Sequence, residues 1–218
     1  MKKLLVILMT GLMMLVLGGC GSDGGSSASA EKVTPAPAST SSSKSASAPS
    51  SGKAAAKDSK TLVVYFSATG NTKALAGEAA KALDAELVEI QPEQPYTQQD
   101  LNYNDETTRA TVEMKDESAR PAIKNKVEDM AKYDTVVIAY PIWWGQAPRI
   151  IDTFMESYDF AGKTIIPICT SGGSDIGTSA DYLHKFAPKA NWKDGQRFDR
   201  GTTASALKDW FTSQGVGK

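Results

Sequence analysis

The sequence predicts an α/β domain over residues 60–218, a three-layer arrangement of a five-stranded parallel sheet with helices on both faces. Three observations carry this. Residues 62–66 (LVVYF), 135–140 (TVVIAY) and 164–170 (TIIPICT) are apolar runs rich in β-branched and aromatic residues, as expected of strands buried on both faces. Segments with helical spacing lie between them, so strands and helices alternate along the chain. Each run also stops abruptly in a loop of small, hydroxylated or aromatic residues.

In chain order, residues 61–66 make the first strand. Ala74, Leu75, Ala76, Ala79, Ala80 and Leu83 then recur at helical spacing. Residues 86–90 are a short second strand with Leu87, Val88 and Ile90 apolar. Residues 91–121 are polar and contain three prolines, long for a connection inside a compact domain. Residues 105–115 leave room there for a helical turn or two. Tyr103 and Arg109 are its candidates for a lid or a dimer contact, against the plainer alternative of a solvated excursion.

Ile123, Val127 and Met130 predict a helix over residues 122–132. The strand at 135–140 follows, then a helix over 148–158 with Ile150, Ile151, Phe154 and Met155 inward. The strand at 164–170 leads to a helix over 178–186, a weak last strand over 192–198 and a closing helix over 204–211.

Parallel strands place the loops that follow them at one edge, where ligands of such sheets bind. The first loop, Ser67-Ala68-Thr69-Gly70-Asn71-Thr72, offers backbone N–H groups, hydroxyls and the positive end of a helix to one point, which suits a phosphate. It contains no Lys or Arg, so neutral donors would hold the charge. An ordinary strand–helix turn is the alternative. The second loop, Pro141-Ile142-Trp143-Trp144-Gly145, holds two adjacent tryptophans, which offer flat faces to an aromatic ligand or else cap the core or a subunit contact. The third begins Thr170-Ser171-Gly172-Gly173 and ends at Gly177, and lets backbone approach a ligand closely.

SATGNT after a first buried strand resembles the FMN phosphate loop of flavodoxins, and the chain from residue 60 onward resembles the flavodoxin-like family along its length. The resemblance implies the strand order 2-1-3-4-5 and a non-covalent FMN. It implies cofactor contacts from Ser67, Ala68, Thr69, Gly70, Asn71 and Thr72, from Pro141, Ile142, Trp143, Trp144 and Gly145, and from Thr170, Ser171, Gly172, Gly173 and Gly177. The Trp144-Gly145 pair makes Trp144 the first choice for the ring stacked on the flavin, and Trp143 the second. Many flavodoxins carry a tyrosine in the third loop. This loop has none, so one flavin face is expected to be open. Neither the nucleoside-triphosphate loop nor the Gly-x-Gly-x-x-Gly dinucleotide fingerprint occurs.

Residues 1–59 hold 6 Lys/Arg and 3 Asp/Glu. Of the totals of 24 and 25, the remainder keeps 18 and 22, a net of −4. An acidic domain argues against a nucleic-acid partner. His184 is the one histidine, with no Gly-x-Ser-x-Gly elbow to make it a hydrolase base and no His/Cys cluster to make it a metal ligand. Cys169 reads as a small buried hydrophobe.

Residues 1–19 read as a signal peptide: Lys2 and Lys3, an apolar centre from Leu4 to Leu17, and small residues before a cysteine. Leu17-Gly18-Gly19-Cys20 resembles a bacterial lipobox, which implies lipid attachment at Cys20. A plain cleaved signal or an uncleaved anchor are the alternatives. Residues 20–59 are Ser/Ala/Gly/Pro-rich without an aromatic residue and are expected to be a flexible tether.

The expected function is an FMN-binding, lipid-anchored protein that transfers electrons at the extracytoplasmic face of a membrane, with a redox partner or small-molecule acceptor and no metal. Two rivals stand beside it: an NAD(P)H-dependent FMN quinone or nitro-compound reductase, and a flavin-free binding protein of the same fold.

Overall fold

Residue parity sorts the core. In β1 (Lys60–Tyr65), β3 (Tyr133–Pro141) and β4 (Thr164–Thr170), successive side chains point to opposite faces, and both faces are apolar. Leu62, Val64, Val136, Ile138, Tyr140, Ile165 and Cys169 fill one side, against Ile150, Ile151, Phe154 and Met155 of α3 (Arg149–Glu156) and Leu183 of α4 (Ser179–Leu183). Val63, Tyr65, Val137, Ala139, Ile166 and Ile168 fill the other, against α1 (Asn71–Leu83) and α5 (Ala204–Ser213). The computed structural model describes residues 60–217; the expected leader, Cys20 and the tether fall outside the described residues.

The sheet runs β2-β1-β3-β4-β5, all pairs parallel, with β2 spanning Glu86–Glu89 and β5 Asn191–Trp192. This is the expected order. The expected helices at α1, α3, α4 and α5 are present. The last strand is divided: β6 (Gln196–Arg197) also pairs with β4, further along it.

Pro167 accounts for the break. The carbonyls of Ile165 and Cys169 accept from Lys193 and Phe198 N–H, both at 2.9 Å. Pro167, midway between them, faces the same strand and has no N–H to give it. From Ile165 to Cys169 the β4 backbone advances four residues while its partner advances five, from Trp192 to Arg197, so one extra residue bulges out. Gly195 sits in that bulge, where an added Cβ would lie 3.2 Å from Pro167 Cβ and 2.6 Å from Ile176 Cδ1.

The expected helix over 122–132 does not form. Only Met130–Lys132 makes a 3₁₀ turn. Its backbone is used elsewhere: Glu93 N–H donates to Ala122 O and Lys124 N–H to Gln91 O, both at 2.8 Å, and the Asn125 side chain bridges Gln91 N–H and Glu89 O. The apolar spacing there reflects Ile123, Val127 and Met130 reaching one core from an extended path.

The 91–121 excursion is packed. Its helix α2 (Arg109–Lys115) buries Ala110, Thr111 and Met114. Arg149, 4 % exposed, donates to Met114 O at 3.0 Å, to Tyr182 Oη at 2.8 Å and to the buried Asp152 carboxylate at 3.3 Å. Burial pushes the Asp152 carboxyl up, and Arg149 beside it opposes the shift. This ion pair therefore joins α2, α3 and α4.

Gly195→Ala tests the account of the bulge. It should cost about 1–3 kcal/mol in urea denaturation, because Ile176 must move and the Pro167 backbone cannot. Chemical shifts of residues 171–177 should change with it, and an unchanged midpoint would contradict the crowding.

Candidate functional site

The carboxyl ends of β1, β3 and β4 open onto a cleft of about 680 Å³ lined by residues from five segments. Thr69 and Asn71 come from the first loop, Leu101 and Tyr103 from the excursion, and Pro141 to Trp144 from the second loop. Thr170 to Gly172 come from the third, and Arg197 to Arg200 from the end of β6 and the chain that follows it.

The first loop is built to leave donors unused. Ser67 Oγ accepts the Gly70 N–H at 3.1 Å, and Gly70 takes φ +86°, where a side chain would be strained. The first intrahelical bond of α1 runs from Ala74 N–H to Gly70 O at 3.1 Å. The N–H groups of Asn71, Thr72 and Lys73 therefore have no partner within the helix, and no side chain caps them. Asn71 Nδ2 steadies Thr69 through its hydroxyl at 3.0 Å. Thr72, 1 % exposed, is tied to Thr170 at the end of β4 by a 2.8 Å hydroxyl–hydroxyl bond, which locks two of the loops together.

The second loop separates its tryptophans. Ile142 N–H bonds Thr170 O, and Trp143 and Gln146 exchange two 2.9 Å backbone bonds across a two-residue turn. Trp144 and Gly145 fill that turn at φ +47° and +77°, the left-handed pair that a type I′ turn needs. A bulky residue seldom adopts such a φ, so the turn holds Trp144 in a strained backbone. Trp143 points inward and packs edge-on against Phe66 (5.6 Å) and Tyr96 (5.2 Å). Trp144 is 45 % exposed and meets Tyr103, 73 % exposed, at 6.0 Å and 86° between ring planes. The two rings form a right-angled apolar corner.

Tyr96 itself is held by Arg109, whose guanidinium lies 4.0 Å from its ring centre and which also bonds Glu113 and Gln94 O, each at 2.7 Å. Of the two excursion residues singled out in the sequence, Tyr103 lines the cleft and Arg109 braces it from behind.

The third loop folds on itself. Gly173 N–H donates to Ser171 Oγ, which bonds Ser174 Oγ, and Gly177 takes φ +53°. Behind it Tyr140 Oη and Ser179 Oγ bond at 3.0 Å, and Ser179 donates to Ile176 O at 2.6 Å.

The expected contact residues therefore divide. Thr69, Asn71, Pro141, Ile142, Trp143, Trp144, Thr170, Ser171 and Gly172 line the main cleft. Gly70 lines an adjoining cavity of about 650 Å³ along α1. Ser67 and Ala68 face a smaller cavity of about 380 Å³ beside Tyr96. Thr72 is buried, Gly145 shapes the aromatic turn, and Gly173 and Gly177 lie off the cleft wall. Sequence reasoning missed Leu101 and the Arg197 to Arg200 segment. The rule that places ligands beyond strand ends applies to the last strand as well and was the available signal.

Cys169 is fully buried, as expected; burial pushes its thiol up to about 12, with the Asp175 charge adding to the effect. His184 is half-buried with its ring 4.3 Å from that of Trp192. Among the described residues no group of His, Cys, Asp and Glu is placed to hold a metal, and no helix is long and apolar enough to cross a membrane.

Unspent N–H donors at a helix start, with a flat apolar corner across the cleft, fit a ligand that carries an anionic tail and a planar ring. The family described as Flavodoxin matches residues 60–214. A protein assigned as a flavoprotein from Bacteroides eggerthii DSM 20697 is 48% identical, over 73% of this chain and 99% of that one, with a TM-score of 0.70. Another so assigned, from Bacteroides uniformis ATCC 8492, is 47% identical over 71% and 98%, with a TM-score of 0.67. A flavoprotein from Lactobacillus acidophilus NCFM, solved in complex with FMN, shares the fold at 22% identity over 70% and 98%, with a TM-score of 0.55. No curated protein matches the chain.

The buried thiol gives a test. In a Cys20→Ser chain at pH 8, Cys169 should not react with a disulfide reagent until the protein is unfolded, and then yield one equivalent. The folded value lies above the ordinary 9.0, so the native state disfavours the thiolate. That contribution to stability is whole below pH 9 and is lost as pH rises toward 12. Fast reaction of the native protein would refute the burial.

Proposed function

The chain belongs to the flavodoxin family, and on that premise we propose that it is an FMN-binding electron carrier, lipid-anchored at the extracytoplasmic face of a bacterial membrane. The cofactor is FMN. One observation carries the reading. The free N–H groups at the start of α1 and the exposed face of Trp144 meet across a single cleft, spaced by Thr170, whose hydroxyl is bonded to Thr72.

The chain's residues hold and orient; bound FMN would supply the redox chemistry. The backbone N–H groups of Asn71, Thr72 and Lys73 would receive the phosphate, and Ser67 and Gly70 shape that cradle. Trp144 covers one ring face, with Tyr103 standing at right angles to it. Tyr103 comes from the excursion, so the second aromatic is supplied from a segment other than the third loop. The backbone of Thr170 to Gly172 lies along the remaining wall. The strained backbone at Trp144 supports its role, since such strain gathers at functional positions. Trp143 serves the core and steadies the turn.

Anchoring rests on the sequence of residues 1–59. A lipid on Cys20 and the 39 residues after it, 21–59, spanning roughly 35 Å on average, would leave the domain free to meet partners near the surface.

The two tryptophans should separate in experiment. Trp144→Ala should weaken FMN binding by about 1–2 kcal/mol, read by flavin fluorescence quenching, and leave the denaturation midpoint unchanged. Trp143→Ala should cost about 3 kcal/mol of stability. A chain that binds no FMN would sink the cofactor assignment. For the anchor, Cys20→Ser should move the protein from the membrane fraction to the soluble one; retention on the membrane would count against lipidation.

A further inference from the structure

The first loop contains no cation, yet a phosphate monoester carries close to two negative charges at neutral pH. The fold brings a cation to it from elsewhere. The main cleft and the cavity along α1 share four lining residues: Asn71, Thr170, Asp199 and Arg200. Two of these belong to the first loop and to its hydrogen-bonded partner Thr170. The other two arrive from the chain between β6 and α5.

That segment is built to present Arg200. Phe198 N–H is fixed to Cys169 O at 2.9 Å, and Ala204 N–H to Glu78 Oε2 of α1 at 3.0 Å. Between these fixed ends Thr202 closes a turn onto Asp199 O through its hydroxyl at 2.8 Å and its N–H at 3.3 Å, with Gly201 at φ +81°. Arg200 stands at the corner of the turn. The adjacent carboxylate does not neutralise it, because Asp199 is paired with Arg197. No carboxylate among the described residues forms an ion pair with Arg200. An exposed arginine, held on a tethered turn and free of a counter-ion, suits a planar phosphate contact.

We propose that Arg200 is the counter-charge for the phosphate of the bound flavin, adding a cation to the cradle of α1 N–H groups with which it shares both cavities. It reads the phosphate and leaves the ring to Trp144. The inference rests on the FMN assignment and adds to it a contact from outside the three loops.

The test compares FMN with riboflavin, which has the same ring and no phosphate, on the full chain purified in detergent. Arg200→Gln should weaken FMN binding about tenfold and leave riboflavin within about twofold. Arg200→Lys should recover part of the loss, because it keeps the charge and loses the fork. The dissociation constant for FMN should rise with salt in the parent and less steeply in Arg200→Gln. An unchanged ratio of FMN to riboflavin affinity in Arg200→Gln would overturn the proposal, as would an equal loss for both ligands. Full loss with Lys73→Gln and none with Arg200→Gln would also overturn it by assigning the charge to the helix. A parent chain that binds neither flavin would instead bring down the cofactor assignment, and this contact with it.

Discussion

Everything at the site depends on the parallel register of three strands. Tyr65 of β1 lies beside Ala139 of β3, and Pro141 at the end of β3 lies beside Thr170 at the end of β4. Strands buried on both faces cannot slide by a residue without exchanging the two cores, so this register is strongly held. The loops that follow must then leave the sheet at nearly one level. The Thr72–Thr170 bond is possible only because of that alignment, and it turns neighbouring loops into one wall.

Around this frame the aromatic residues divide their work. Phe66, Tyr96 and Trp143 interlock edge-on and belong to the core. Tyr103 and Trp144 stand outside it and leave their faces uncovered. The inner group is braced by Arg109 over Tyr96, and α2 is fastened by the buried Arg149. The excursion that carries Tyr96 and Tyr103 is therefore supported along its length. An exposed corner of two rings can keep its shape only when such a foundation lies behind it.

The parts of the fold that were legible in the sequence are those where one physical cause dominates. Runs such as TVVIAY have one use, a doubly covered strand, and their loops follow by topology. SATGNT carried its own chemistry. The segment 122–132 misled because Ile123, Val127 and Met130 satisfy helical spacing while the backbone of residues 122–124 pairs with residues 91–93. The break in the last strand was encoded by Pro167, one strand away, and could be read only once the neighbours were known. Asp199 and Arg200 have no motif around them. Their relevance comes from where β6 ends, and a weak two-residue strand gives little notice of that.

The divided last strand also bears on how copies of this molecule behave when crowded. An outer strand with a continuous row of free N–H and C=O groups invites another chain to pair with it. Here the margin beside β4 is two short ladders of two residues, interrupted by Lys193, Asp194 and Gly195. The opposite margin, β2, is four residues long and carries Glu86 and Glu89. Neither side offers a template long enough for sheet-to-sheet growth. The missing donor of one proline, which costs the molecule a bond within its own sheet, thereby also guards it against aggregation by strand addition.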